Sequence, residues 1–193
     1  MQARDVERAL VAYTPVDERE RSFHTRMLAL CEAADPFSRS AYSPGHFTAS
    51  AFVLSPRRDA VLLIFHKKLG RWLQPGGHIE TSDTTLLEAA RREVAEETAV
   101  LDPVPLVAGV FDIDVHDIPA RAAAEHPEGC KDEPAHEHFD VRVLLAAPAL
   151  TFTASDEVAG ARWVPLAELA IVETDESVRR AIRKIASLVG GHR

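Results

Sequence analysis

Pro75 to Val100 constrains this chain more than any other stretch: Pro75-Gly76-Gly77 opens a short loop, and the run behind it carries Glu88, Glu93, Glu96 and Glu97. Thr85 with Glu88 three positions on has the form of a capping box, which predicts a helix starting there. At about 100° per residue, Leu87, Ala90, Val94 and Thr98 fall on one inward stripe. Glu93, Glu96 and Glu97 share another side, because positions three and four apart are neighbours on a helix. Like charges so placed repel by roughly 0.2–0.5 kcal/mol per pair. A hard divalent cation with oxygen ligands, magnesium or manganese, neutralises them. The glycines let the backbone come close to a ligand, so a loop carbonyl can complete the metal shell.

Gly77 followed by Arg92-Glu93-Val94-Ala95-Glu96-Glu97-Thr98-Ala99-Val100 resembles the Nudix box, whose family pattern is Gly-x5-Glu-x7-Arg-Glu-U-x-Glu-Glu-x-Gly-U with U aliphatic. Two positions depart from it. The loop after Gly77 is one residue longer, so Thr84 falls on the family's first glutamate with Asp83 beside it. The resemblance then implies that Asp83 braces Arg92. Ala99 stands in place of the family's glycine, which implies a different helix end and leaves the carboxylates untouched.

The same resemblance implies a fold: an α/β protein, a Nudix-type α/β/α sandwich with a mixed sheet. Residues 1–45 would form a helical extension and linker, and residues 46–193 the hydrolase-like domain. It also implies roles. Glu96, Glu97 and the Gly77 carbonyl would hold Mg2+ or Mn2+, and Glu93 would be a ligand and a base. Arg92 would orient the carboxylates through an ion pair. Glu157, six residues before Trp163, sits where several members carry a further acid facing the metals, and is an alternative base. The resemblance implies that the bonds attacked are phosphoanhydrides, where divalent ions would relieve charge on phosphate oxygens and lower the pKa of bound water.

The chain has 193 residues, 46% of them hydrophobic, enough for one domain with a sizeable core. Its formal net charge of −8, with no basic cluster, argues against a nucleic-acid surface. No apolar run reaches the roughly 18 residues of a membrane span, and no signal pattern opens the chain, so a cytoplasmic location is expected. Cys31 and Cys130 lie far apart without metal-ligand spacing and read as reduced thiols.

Residues 1 to about 34 read as two helices, the second signalled by Thr14-Pro15 with Asp17 and Glu18. This extension would cover an edge of the core or form a homodimer contact. Residues 46–54 and 60–66 read as a hairpin. Arg71, beside Trp72, is a phosphate-contact candidate weighed against a surface arginine. Pro105 to Ile118 reads as one long strand, with Asp112, Asp114 and His116 on one face. In the strand from His136 to Ala147, the residues His136, His138, Asp140 and Arg142 share a face. Two such faces would line a pocket, with the loop from Pro119 to Pro134 beside it. The His-x-His-x-Asp run admits a zinc site, a substrate contact or a solvated face. A strand spaces such residues about 7 Å apart, wide for sharing one ion. Arg121 and Arg142 are phosphate-contact candidates weighed against surface positions.

The leading expectation is a metal-dependent hydrolase splitting the diphosphate linkage of a nucleoside diphosphate derivative. Against it stand a non-catalytic nucleotide-sensing module, which would have lost box carboxylates, and a prenyl diphosphate isomerase, which needs a cysteine near the site.

Overall fold

The computed structural model describes residues 1–67, 69–122, 132–156 and 158–190. The chain runs α1 (Ala3–Val11), α2 (Glu18–Leu30), β1 (Gly45–Leu54), β2 (Ala60–His66), β3 (Arg71–Leu73), β4 (Gly76–His78), α3 (Leu86–Thr98), β5 (Val104–Pro105), β6 (Asp112–Ile118), β7 (His136–Ala146) and β8 (Ala161–Pro165). A 3-10 helix (Leu166–Ile171) and α4 (Glu176–Gly190) close it. Among the described residues no helix is long and apolar enough to cross a membrane.

β1 is the spine of an eight-stranded mixed sheet. It runs parallel to β7 along its whole length, from Gly45 opposite Glu137 to Leu54 opposite Ala146. Its other edge is shared: β2 pairs with its last residues and β4 with Thr48, Ala49 and Ser50, both antiparallel. Alternation along β1 feeds two cores, one per face. Phe47, Ala49, Ala51 and Val53 pack with Val94 and Ala90 of α3 and with Val6, Leu10, Met27 and Leu30 of α1 and α2. Phe52 and Leu54 pack on the other face with Val178, Ala181, Ile182 and Ile185 of α4. The result is the expected α/β/α sandwich, and the first two helices belong to its core.

Local departures have local causes. The single strand expected over 105–118 is split into β5 and β6, with Gly109 at φ 73° in the break. α2 begins at Glu18, because Asp17 caps it by accepting from the Glu20 N–H at 2.8 Å. α3 begins as predicted, Thr85 Oγ1 accepting from the Glu88 N–H at 3.1 Å. Glu88, however, reaches back to Thr84, accepting from its N–H at 3.1 Å, so the box closes one residue early. The inward stripe of α3 is also wider than predicted: Leu86 and Ala89 are buried with Ala90, Val94 and Thr98, while Leu87 is only half-buried. Its other end corrects an expectation. Ala99 adopts the left-handed conformation, φ 53°, in which glycine usually terminates a helix, so α3 ends in the same way despite the substitution.

Candidate active site

α3 presents its acids to the glycine strand. The Gly76 N–H donates to Glu97 Oε2 at 3.0 Å, and Glu97 is buried. Glu93 lies against Gly77 so closely that a Cβ there would stand 2.7 Å from its carboxylate. A Cβ on Gly76 would lie 2.2 Å from Ser50 Cβ and 2.7 Å from its Cα, so glycine is required there for β4 to lie against β1, whereas a Cβ on Gly77 would displace the Glu93 carboxylate. Burial, opposed by Arg92, pushes the Glu93 carboxyl above its usual range. Glu96 is more open, its side chain 52% exposed. Hard oxygen donors crowded against the Gly76-Gly77 backbone fit a divalent cation such as magnesium or manganese.

Arg92 organises the acids from behind. Its Nε and Nη2 hold both oxygens of Asp83, at 3.1 and 3.0 Å, while Nη1 donates to Glu93 Oε1 at 2.8 Å and Glu96 Oε2 at 2.9 Å. Nη2 also reaches the His78 carbonyl at 2.8 Å. Arg92 therefore ties the end of β4, the loop acid Asp83 and two box glutamates into one unit. Asp83, 5% exposed, also accepts from the Glu80 N–H at 2.7 Å. Although burial alone would raise its pKa, the bonds from Arg92 and Glu80 hold it below the ordinary carboxylate range.

The polar face of β6 and β7 divides into two halves. In the half beneath α4 the expected pocket is filled. Arg142, expected against phosphate or at the surface, is 2% exposed, and each of its three nitrogens is engaged. Nε donates to Asp140 at 2.7 Å, Nη1 to Asp112 at 3.0 Å and Nη2 to Ser177 at 2.6 Å. Asp140, expected as a substrate contact, is likewise buried, accepting also from Thr48 at 3.2 Å, Ser50 at 2.7 Å and Gln74 at 3.2 Å. The reason lies in α4, whose inward face carries Arg180 and Lys184. Arg180 donates to Asp114 at 3.2 Å, and Lys184 to Asp112 at 2.6 Å.

The other half belongs to histidines from four strands. His138 of β7 stands opposite His46 of β1 and His116 of β6, and His78 of β4 opposite Thr48. His46 stacks on His78 and His136, with ring centroids 5.0 and 5.1 Å apart. His116 Nδ1 lies 3.2 Å from Asp114 Oδ2, and its side chain is 42% exposed. Burial first, then neighbouring charges, holds His78 down to about 3 and His138 to about 2, so both rings are neutral.

Arg71 is exposed on β3, its Nε donating to the Leu69 carbonyl at 3.4 Å. Arg121 bridges Glu133 through the backbone, next to the histidines. Glu157, Cys130 and most of the loop expected beside the site, residues 123–131, lie outside the described residues. Three residues escaped the sequence reading. His46 and His78 become visible only when strand pairing is known. Arg39, in the linker before β1, lies 3.5 Å from Glu80 Oε1, and its charge is felt at both Glu93 and His78.

A carboxylate helix clasped to a glycine strand, on a mixed sheet between helical layers, defines an α/β protein with a cluster of hard oxygen donors at its candidate site. The chain belongs to the NUDIX domain family, whose model matches residues 44–185. Members of this family generally use a divalent metal ion. A probable DHNTP pyrophosphohydrolase of Lactococcus lactis subsp. cremoris (strain MG1363) is 29% identical over 121 residues, 62% of this chain. The match spans 66% of that relative, just under two thirds of its length. Two solved structures share the fold. RenU, a Nudix hydrolase from M. smegmatis, is 16% identical at a TM-score of 0.54, over 77% of this chain and 88% of its own. The E. coli dihydroneopterin triphosphate pyrophosphohydrolase is 18% identical at 0.52, over 72% and 92%.

Proposed function

We propose that this protein is a Mg2+- or Mn2+-dependent pyrophosphohydrolase that cleaves a phosphoanhydride bond of a small nucleotide-type substrate. The observation that carries this reading is the packing of Glu93 and Glu97 onto Gly77 and Gly76, with Glu96 at the open side. Glu93, Glu96, Glu97 and the Gly77 carbonyl would hold the cation, which supplies charge neutralisation at the phosphates and a more acidic bound water. Glu93, which lies against Gly77 within the cluster, is the first candidate to accept the proton of the attacking water. Glu157 is the alternative acid for that step. Arg92 holds Glu93 and Glu96 together through Nη1, and Arg39 adds positive charge near Glu93.

The names of the relatives narrow the substrate. Two are pyrophosphohydrolases of DHNTP or dihydroneopterin triphosphate, so a triphosphate carrying a fused heteroaromatic ring belongs first in a substrate panel, beside nucleoside triphosphates and nucleoside diphosphate sugars. His116, on β6 with its side chain 42% exposed, is the ring-contact candidate. A cytoplasmic location accords with this substrate class.

The test is a product assay across that panel with Mg2+ and Mn2+, in which added pyrophosphatase or phosphatase converts the released pyrophosphate or monophosphates to countable phosphate. Wild-type protein turns over at least one member, and Glu97→Gln lowers kcat by about 100-fold or more while its melting temperature stays within a few degrees. Undiminished turnover by Glu97→Gln defeats the site assignment. Tight nucleotide binding by the wild type with neither pyrophosphate nor monophosphate formed under saturating metal defeats the hydrolase reading in favour of a sensing module.

A further inference from the structure

Three imidazoles converge where β1 and β7 begin. His46 lies opposite His138 in the parallel register, and His136 stands two residues earlier on the same face of β7. One ring nitrogen from each lies within 4.8 Å of the other two. His46 is fully buried and His136 is 5% exposed. Yet the Nε2 atoms of His46, His136 and His138 have no hydrogen-bond partner. An unpaired buried polar atom costs about 1–3 kcal/mol, so three in one place call for a shared occupant.

The rings are already oriented for one. His46 Nδ1 lies 3.3 Å from the Ala41 carbonyl and His136 Nδ1 lies 2.9 Å from that of Pro134. Since a carbonyl only accepts, both rings carry their proton on Nδ1 and turn an Nε2 lone pair inward. A carbonyl behind the imidazole is the support that orients metal-binding histidines.

We propose that His46, His136 and His138 form a three-imidazole site for a transition-metal dication of the zinc class, separate from the carboxylate site on α3. An all-nitrogen donor set selects zinc, cobalt or nickel over magnesium. Metal–nitrogen bonds of about 2.0–2.1 Å set tetrahedral ligands about 3.3 Å apart, so the rings close on the ion by roughly 1.5 Å at most. Three histidines leave a fourth position for water or an acid. Glu133 Oε1 stands 3.7 Å from His136 Nε2, within reach of that position. Through His78, which stacks on His46 and follows Gly77, the site adjoins the glycine strand.

The test uses the metal-stripped full chain, saturated with Mg2+, without nucleotide, and titrated with Co2+. Visible absorption bands report four-coordination, and Zn2+ competition gives affinity. One equivalent of Co2+ is expected to bind with a four-coordinate spectrum and to be displaced by Zn2+. His46→Gln and His136→Gln should each weaken binding by at least about 100-fold. Glu97→Gln should bind Co2+ like wild type while losing turnover, which separates this site from the hydrolase reading. Absence of the bands, equal binding by the histidine variants, or loss of binding in Glu97→Gln overturns the proposal. Circular dichroism checks the fold of each variant. Should either histidine variant fail to fold, His138→Asn and the Zn2+-induced rise in wild-type melting temperature decide the matter. No rise in the wild type, or an equal rise in His138→Asn, counts against the site.

Discussion

Ala99 holds a backbone conformation, φ 53°, that costs a residue bearing a Cβ about 1–2 kcal/mol. Glycine pays no such steric cost, though it loses more freedom on folding. Ala99→Gly is therefore expected to stabilise the protein by about 1 kcal/mol, a rise of about 2–4 °C in melting temperature for a chain of this size. A melting curve that stays put or falls would show that the turn had relaxed the strain elsewhere. At this scale the sequence was legible where a residue's role depends on its near neighbours. Thr85, Glu93, Glu96 and Glu97 were placed correctly on one helix by spacing alone. His46 was not, because what gives it meaning is His138, 92 positions away in the chain and adjacent only through the parallel pairing of β1 with β7. Arg142 was misplaced for the same reason. Its charge suggested a surface, and the acids that bury it come partly from another strand.

At the scale of elements, α3 and β4 act as one device joined through Arg92 and Asp83. The loop between them carries an additional residue relative to the family pattern, and Asp83 meets Arg92 with both oxygens. Removing one charge from that pair should loosen the aim of Glu93 and Glu96 without touching either. Asp83→Asn is expected to lower kcat by about 10–100-fold and to weaken Mn2+ binding by a similar factor, with partial recovery in Asp83→Glu. Steady-state kinetics beside a Mn2+ titration check this; a change in KM alone would assign Asp83 to substrate binding instead. Strand limits were readable where hydrophobic alternation was long, as in β1, β2 and β7. They failed over 105–118, where alternation holds only over 111–116 and the apolar run before it, with Gly109 at positive φ, is a connection between β5 and β6.

At the scale of the whole molecule, a buried charge network joins the layers. Asp112, Asp114, Asp140 and Glu20 face Arg142, Arg180 and Lys184 across β6, β7, α2 and α4. Tyr13, after α1, donates to Glu20 at 2.6 Å and accepts from Lys184 at 2.8 Å. The extension is thus bonded to the domain by polar contacts as well as by its apolar core. Removing one partner from a buried set leaves the others uncompensated, so Arg142→Met is expected to cost about 3–5 kcal/mol at pH 7. The network also sets acid stability. For Asp114 burial alone would raise the carboxyl pKa, yet Arg142, His116 and Arg180 outweigh it and hold the group well below the ordinary range. A carboxylate depressed on folding contributes stability above its unfolded pKa of about 3.9, and loses it as pH falls from there toward the folded value. Wild-type unfolding free energy should therefore drop steeply below about pH 4. In Arg142→Met the unpaired acids are relieved by protonation, so the gap between variant and wild type narrows over the same range. Urea titrations at pH 7, 5 and 3.5 measure both curves. A gap that stays constant with pH would mean that Arg142 acts through packing rather than charge.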